Sequence, residues 1–238
     1  MTELLYLNDS YLKEFQAQIV SVKGKIIELD RTAFYVHGGG QPSDSGHMEF
    51  LGSDNGKARV LSVRKIDGRI IHELDTEAPE NAVEAKCGID WGRRYRLMKM
   101  HSSAHLLAAV IFKETGKLIS GNQLGEDYSR MDFNVEKYDT EFLKGIEEKA
   151  NAKIAEGLDI TVSFLPRDKA LELPELFRLK DVLPKNLQEF RIVSIGGFDR
   201  QADGGTHVKN TSEIGKIKIT KTENKGADNR RIYWELTG

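Results

Sequence analysis

Alternating apolar and polar positions dominate the first ninety or so residues. The segments AQIVSVKGKIIELDRTAFYV, KARVLSVRKIDGRIIHEL and AVEAKCGID alternate or run β-branched, separated by Gly, Asp, Asn and Pro turn signals. Short strands at such spacing predict a small barrel or sandwich. The pattern changes around Asp90–Arg94. From His101 to Thr115 the apolar residues fall at helical spacing, and Gly116 suits the position just past a helix end. Lys117 to Phe133 reads as two strands around the turn GEDYS. A second helix is predicted from about Thr140 to Glu156, with Phe142, Leu143, Ile146, Ala150 and Ile154 on one face and Gly157 at its stop. The Leu- and Pro-rich stretch Asp168–Pro184 reads as loops around a short helix. RIVSIGGFDR, GKIKITKTENK and RRIYWEL are strand-like. Strands and helices segregated in this way predict an α+β protein rather than a doubly wound sheet. The best boundary lies in Glu84–Trp91. It gives a β-rich, barrel-like domain over 1–89 and an α+β domain over 90–238, with an antiparallel sheet and two main helices.

Composition narrows the class. With 238 residues, 39% hydrophobic and 30% charged, the chain can bury a substantial core. No apolar stretch approaches the ~20 residues needed to cross a bilayer. The first residues carry acids and lack a basic leader, so a cytoplasmic location is expected. The single cysteine, Cys87, excludes an intrachain disulfide and fits a reducing compartment. It reads as a buried strand residue. A net charge of −2 excludes a bulk polycation, although charge distribution matters more than its sum. Trp91–His105 carries Arg93, Arg94, Arg96 and Lys99 with no acid, and Lys209–Arg231 is also rich in Lys and Arg. Either run fits a nucleic-acid surface or a plain solvated face.

Two spacings could carry metal chemistry. His101-Ser-Ser-Ala-His105 lies on a predicted helix, where an i,i+4 pair puts both imidazoles on one face. No Glu follows the first His, which excludes the zincin type of metalloprotease. Asp203-Gly-Gly-Thr-His207 offers a second pair, with glycines that suggest close backbone approach to a ligand. Together they supply three imidazoles and a carboxylate, a plausible four-coordinate zinc set. Only the fold could bring the two pairs together.

A family resemblance gives these pairs a context. DWGRRYRLMKMHSSAHLL, RMDF, GGTHVKNTSEIGKIKI and ENKGADNRRIYWEL resemble, in order, the editing domain shared by alanyl-tRNA synthetases, threonyl-tRNA synthetases and free-standing editors. AFYVHGGGQPSDSG resembles the glycine-rich stretch that precedes that domain in alanyl-tRNA synthetase and in the medium-length free-standing alanyl-tRNA editing proteins. The matches span roughly 33–236, and the chain has no room for an aminoacylation domain. The resemblance implies a free-standing hydrolase that removes serine, and glycine as well, from tRNA(Ala). It implies one zinc ion on His101, His105, Asp203 and His207. The family commonly has Cys where Asp203 stands; Asp keeps the negative charge but exchanges a soft ligand for a hard one. Asn122, with Gln123 and Thr206, is expected at the amino-acid pocket. Gly39, Gly40, Gln41, Arg93, Arg94, Lys99 and Lys209 are expected against tRNA, Arg130 serving there or in a structural ion pair. The general base is left open. The alternatives are an editor of another mischarged tRNA, such as Ser-tRNA(Thr), and a tRNA-binding module without catalysis.

Overall fold

Strands that present alternate residues to one side bury that side only when the sheet curls or stacks, and the N-terminal segments do this by closing a barrel. The computed structural model describes residues 2–51, 56–135, 139–177, 187–226 and 229–238. Its first strands are β1 (Glu3–Leu4), β2 (Glu14–Lys23), β3 (Ile26–Leu29), β4 (Arg31–Thr32), β5 (Gly46–Leu51), β6 (Lys57–Ile66), β7 (Arg69–Leu74) and β8 (Glu84–Ile89). The closed order is β2-β3-β7-β6-β5-β8, every pair antiparallel, and β8 returns to β2 through Phe15↔Cys87. Phe15, Ala17, Ile27, Leu29, Met48, Phe50, Val60, Val63 and Leu74 fill the interior with Phe34 and Cys87. Burial pushes the Cys87 thiol up to about 12, so it is an inert strand residue.

The glycines of the Gly-rich stretch have a local cause. Gly38 and Gln41 exchange backbone hydrogen bonds of 3.2 and 2.9 Å, and the two residues between them, Gly39 and Gly40, both have positive φ (58° and 82°). A two-residue turn of this kind demands residues that tolerate the left-handed region. Gln41 is fully buried.

Helix α1 spans Trp91–Thr115, ten residues longer at its start than the sequence pattern suggests. Asp90 begins it: its Oδ1 accepts from Arg93 N–H at 3.2 Å and its carbonyl from Arg94 N–H at 2.9 Å. The chain divides into two compact units, Met1–Arg96 and Leu97–Gly238, so the division falls within α1. Among the first-unit residues of α1, Arg94 is fully enclosed. Its guanidinium donates to the Asp44 carboxylate, to Ser10 O at 2.8 Å and to Ala33 O at 2.5 Å.

The second unit contains two antiparallel sheets. One has the order β14-β15-β10-β9, from β9 (Ile119–Gln123), β10 (Tyr128–Phe133), β14 (Lys216–Asn224) and β15 (Arg230–Thr237). The other is β11-β12-β13, from β11 (Ile160–Pro166), β12 (Glu189–Ile195) and β13 (Asp199–Ala202). From His101 to Val110 every residue of α1 is buried, as expected of a helix enclosed on all faces. Helix α2 (Thr140–Ala155) is capped by Asp139, whose Oδ1 accepts from Phe142 N–H at 2.7 Å, and it buries Ile146, Ala150 and Ile154. Asn151 on α2 forms a reciprocal pair with the backbone of Ile217, both bonds 2.8 Å. Strand β11 carries no period-two signal because it is an edge strand exposed through most of its length. In the Leu- and Pro-rich stretch, α3 (Arg167–Leu171) is a short helix, and residues 178–184 of it lie outside the described residues.

Candidate metal centre

The cluster is built by a helix and a loop, both within the second unit. The i,i+4 spacing sets His101 and His105 one turn apart on α1, with ring centroids 5.1 Å apart. The loop after β13 brings the other pair. Asp203 N–H continues the ladder by donating to Arg191 O at 3.0 Å, and Arg191 Nη1 donates back to Asp203 O at 2.9 Å. Asp203 Oδ2 then accepts from Gly205 N–H at 2.6 Å, a side-chain turn that folds the loop over. Only glycine fits next: a Cβ on Gly205 would collide with the His101 ring. The turn delivers His207 with its ring centroid 4.4 Å from that of His101 and 4.6 Å from that of His105.

One potential ligand atom from each of His101, His105, Asp203 and His207 lies within 4.8 Å of the others. His207 Nε2 is 3.0 Å from Asp203 Oδ2, and His101 Nε2 is 3.5 Å from Asp203 Oδ1. The three imidazoles are buried and the carboxylate retains 19% exposure. Burial pushes His101 down to about 4, the Asp203 charge opposing it only in part. Burial and the neighbouring His101 hold His207 well below its usual value. Burial alone would raise Asp203, but His101 and His207 outweigh it and hold the carboxyl well below its ordinary range. His101 and His207 are therefore neutral imidazoles beside an ionised carboxylate, the protonation state a divalent cation requires. His105 Nδ1 is buried with no hydrogen-bond partner, a cost such a cluster removes when it binds a cation. These residues fit a zinc-type site.

Cross-strand register places the proposed pocket residues. Asn122 stands opposite Met131, which stands opposite Ile232. These share a sheet face with Trp234, whose Nε1 donates to Ser103 Oγ on α1 at 2.9 Å. Asn122 therefore lies on the face turned to the histidine helix. Gln123 is one residue on and faces the other way, where its Oε1 accepts from Arg130 Nε at 3.0 Å. Thr206 is fully buried in the loop between Gly205 and His207.

The basic candidates separate. Lys209 is exposed, and Arg93 and Lys99 are partly exposed, Arg93 also donating to Ser43 O at 3.2 Å. Arg94 is turned inward and its charge is matched by Asp44, so it does not face solvent. Gln41 is likewise interior, and Gly39 and Gly40 serve the turn. Arg130 lies 3.7 Å from Asp132, which also pairs with Arg231 at 2.6 Å. Sequence reasoning passed over two buried neighbours of the cluster, Ser102 and Arg191. The clue available for Ser102 was its place in the polar run Ser102-Ser103 between the two histidines.

Comparison with known proteins agrees with this architecture. The family described as threonyl and alanyl tRNA synthetase second additional domain matches residues 190–233, and that of class II (A) tRNA synthetases matches residues 4–93. The chain is 42% identical to the alanyl-tRNA editing protein AlaX-M of Saccharolobus solfataricus, covering 99% of both chains. It is 46% identical to the AlaX-M protein of Methanosarcina barkeri, again over 99% of both. The chain belongs to the alanyl-tRNA editing protein family. It is also 39% identical to the alanine–tRNA ligase of Pyrobaculum arsenaticum, over 93% of this chain but 25% of the ligase. Among the described residues no helix is long and apolar enough to cross a membrane.

Proposed function

We propose that this protein is a metal-dependent deacylase that hydrolyses mischarged tRNA(Ala), chiefly Ser-tRNA(Ala) and also Gly-tRNA(Ala). The observation that carries the reading is the convergence of His101, His105, Asp203 and His207 to within 4.8 Å, in a chain of the alanyl-tRNA editing family. These four residues would hold one zinc ion. When bound, the ion supplies Lewis-acid polarisation of an ester carbonyl or lowers the pKa of a water.

The chain's own residues do the rest. Asp203, braced by Gly205 N–H and by Arg191, presents its carboxylate in a fixed direction. Asn122, on the face turned to α1, offers an amide that can pair with the hydroxyl of a seryl ester. Alanine leaves that amide unmatched, at a cost of roughly 1–3 kcal/mol. Selection at a second site is needed because a synthetase pocket sized for alanine cannot exclude glycine by size and rejects an added hydroxyl only modestly. Arg93, Lys99 and Lys209 would neutralise tRNA phosphates, making binding salt-dependent.

The decisive experiment measures deacylation of Ser-tRNA(Ala), Gly-tRNA(Ala), Ala-tRNA(Ala) and Ser-tRNA(Thr), with and without a chelator. Chelator-sensitive hydrolysis of the first two alone supports the reading. Preference for Ser-tRNA(Thr) would move the protein to another editor class. Binding without hydrolysis, in protein free of metal after zinc addition, would make it a tRNA-binding module.

A further inference from the structure

Ser102 sits between the two helix histidines and is fully buried. Its Oγ lies 3.1 Å from His207 Nδ1 and accepts a hydrogen bond from Val208 N–H at 3.3 Å. The other nitrogen of that ring, Nε2, lies 3.0 Å from Asp203 Oδ2. Both ring nitrogens of His207 are thus committed, one to a hydroxyl and one to a carboxylate.

The two partners differ in what they can do. An ionised carboxylate only accepts, whereas a hydroxyl both donates and accepts. With no cation in the cluster, Nε2–H donates to Asp203 and Nδ1 must accept, so the Ser102 O–H donates. With a cation on Nε2, that nitrogen must present its lone pair, and the ring proton moves to Nδ1. Ser102 must then accept. A carbonyl or carboxylate at this position would serve the second state alone, and an aliphatic side chain neither.

We propose that Ser102 is a positioning residue of the metal centre, its hydroxyl reversing hydrogen-bond direction so that His207 can exchange tautomers as the cation enters. The ring releases its Nε2 proton to solvent and takes up one from solvent at Nδ1, so its charge is unchanged and Ser102 stays a hydroxyl throughout. The backbone bond from Val208 holds Oγ in place through both states. This rests on the reading of the cluster as a metal site.

The test uses the full-length protein and zinc alone. Long-range 1H–15N correlation on the wild-type protein should show His207 as the Nε2–H tautomer without zinc and the Nδ1–H tautomer with it. Ser102→Ala should weaken zinc binding roughly 10–100-fold in chelator competition, the usual effect of losing a partner behind a ligating histidine. Ser102→Thr, which restores the hydroxyl, should return most of that loss. An unchanged His207 tautomer on zinc addition overturns the proposal, and so does Ser102→Ala binding zinc within about twofold of wild type. His207→Ala separates the two levels. If it loses zinc while Ser102→Ala does not, only the role of Ser102 fails. If it binds zinc as wild type does, the metal reading fails too. Should Ser102→Ala not fold, the tautomer measurement on wild-type protein still decides.

Discussion

Asp203 Oδ2 and His207 Nε2 lie 3.0 Å apart within the loop, and the other oxygen, Asp203 Oδ1, lies 3.5 Å from Nε2 of His101 on the helix. The family resemblance implies a thiolate at the position where Asp203 supplies a carboxylate. If Asp203 ligates, Asp203→Cys should tighten zinc binding on the order of tenfold, because a soft anionic ligand replaces a hard one. Manganese binding should weaken in the same variant. Chelator competition with each metal measures both, and unchanged affinities would remove Asp203 from the ligand set.

The buried pair of Arg94 and Asp44 makes a prediction about stability. Both side chains are fully enclosed, and Arg94 also donates to two backbone carbonyls. Asp44→Ala leaves a buried guanidinium without its counter-charge, which should cost about 3–5 kcal/mol. Urea denaturation should show the loss in a lower midpoint. If Arg94 instead served RNA, Asp44→Ala would alter the salt dependence of tRNA binding and leave the midpoint in place.

Much of this architecture can be read in the sequence, and the exceptions share a cause. The barrel strands are visible because one face meets water and the other a core, which writes a period of two into the residues. Helix α1 is legible from His101 onward, but its start at Trp91 is not, because Arg93, Arg94, Arg96 and Lys99 break up the apolar pattern of its first turns. Strand β11 lacks contrast because it is exposed on most of its length. Local spacing suggested each ligand pair, His101 with His105 and Asp203 with His207, but their meeting depends on Gly205 letting the loop pass the His101 ring. Composition also cannot distinguish a charge facing solvent from one facing a partner. Arg93 and Arg94 are adjacent in sequence, yet the helix turns the second towards Asp44 and full burial. Ser102 and Arg191 act through partners that only the fold supplies.

His72 predicts how the protein responds to acid. It is fully buried in the first unit, with Nε2 2.9 Å from Thr32 Oγ1, and burial pushes it down to about 4. An unfolded histidine titrates near 6.5. Above that pH both states are neutral and no stability is lost. Between 6.5 and 4 the unfolded chain takes up a proton that the folded protein refuses, so stability falls and then levels off. The loss at pH 4.5 should be about 2–3 kcal/mol. His72→Gln should show a correspondingly smaller difference between urea midpoints at pH 7 and pH 4.5. Equal pH dependence in the variant would mean that His72 is protonated readily in the folded state.

Selectivity is tested by two adjacent residues. Asn122 shares its sheet face with Met131, Ile232 and Trp234, and Trp234 reaches α1 through Ser103. Gln123 faces the opposite way and is engaged by Arg130. A hydrogen bond from Asn122 to the seryl hydroxyl is worth about 0.5–1.5 kcal/mol, so Asn122→Ala should slow Ser-tRNA(Ala) hydrolysis roughly threefold to tenfold. Metal content should not change, because Asn122 is not among the four clustered residues. Gln123→Ala should leave the rate within about twofold, the substitution removing only an exposed hydrogen bond. Glycine carries no hydroxyl, so its release should be less sensitive to Asn122→Ala than that of serine. Single-turnover deacylation of the two substrates by both variants separates the cases. Equal losses on seryl and glycyl substrates would show that Asn122 positions the ester generally. An effect of Gln123→Ala matching that of Asn122→Ala would mean that the strand β9 acts as a unit and that neither side chain reads the hydroxyl.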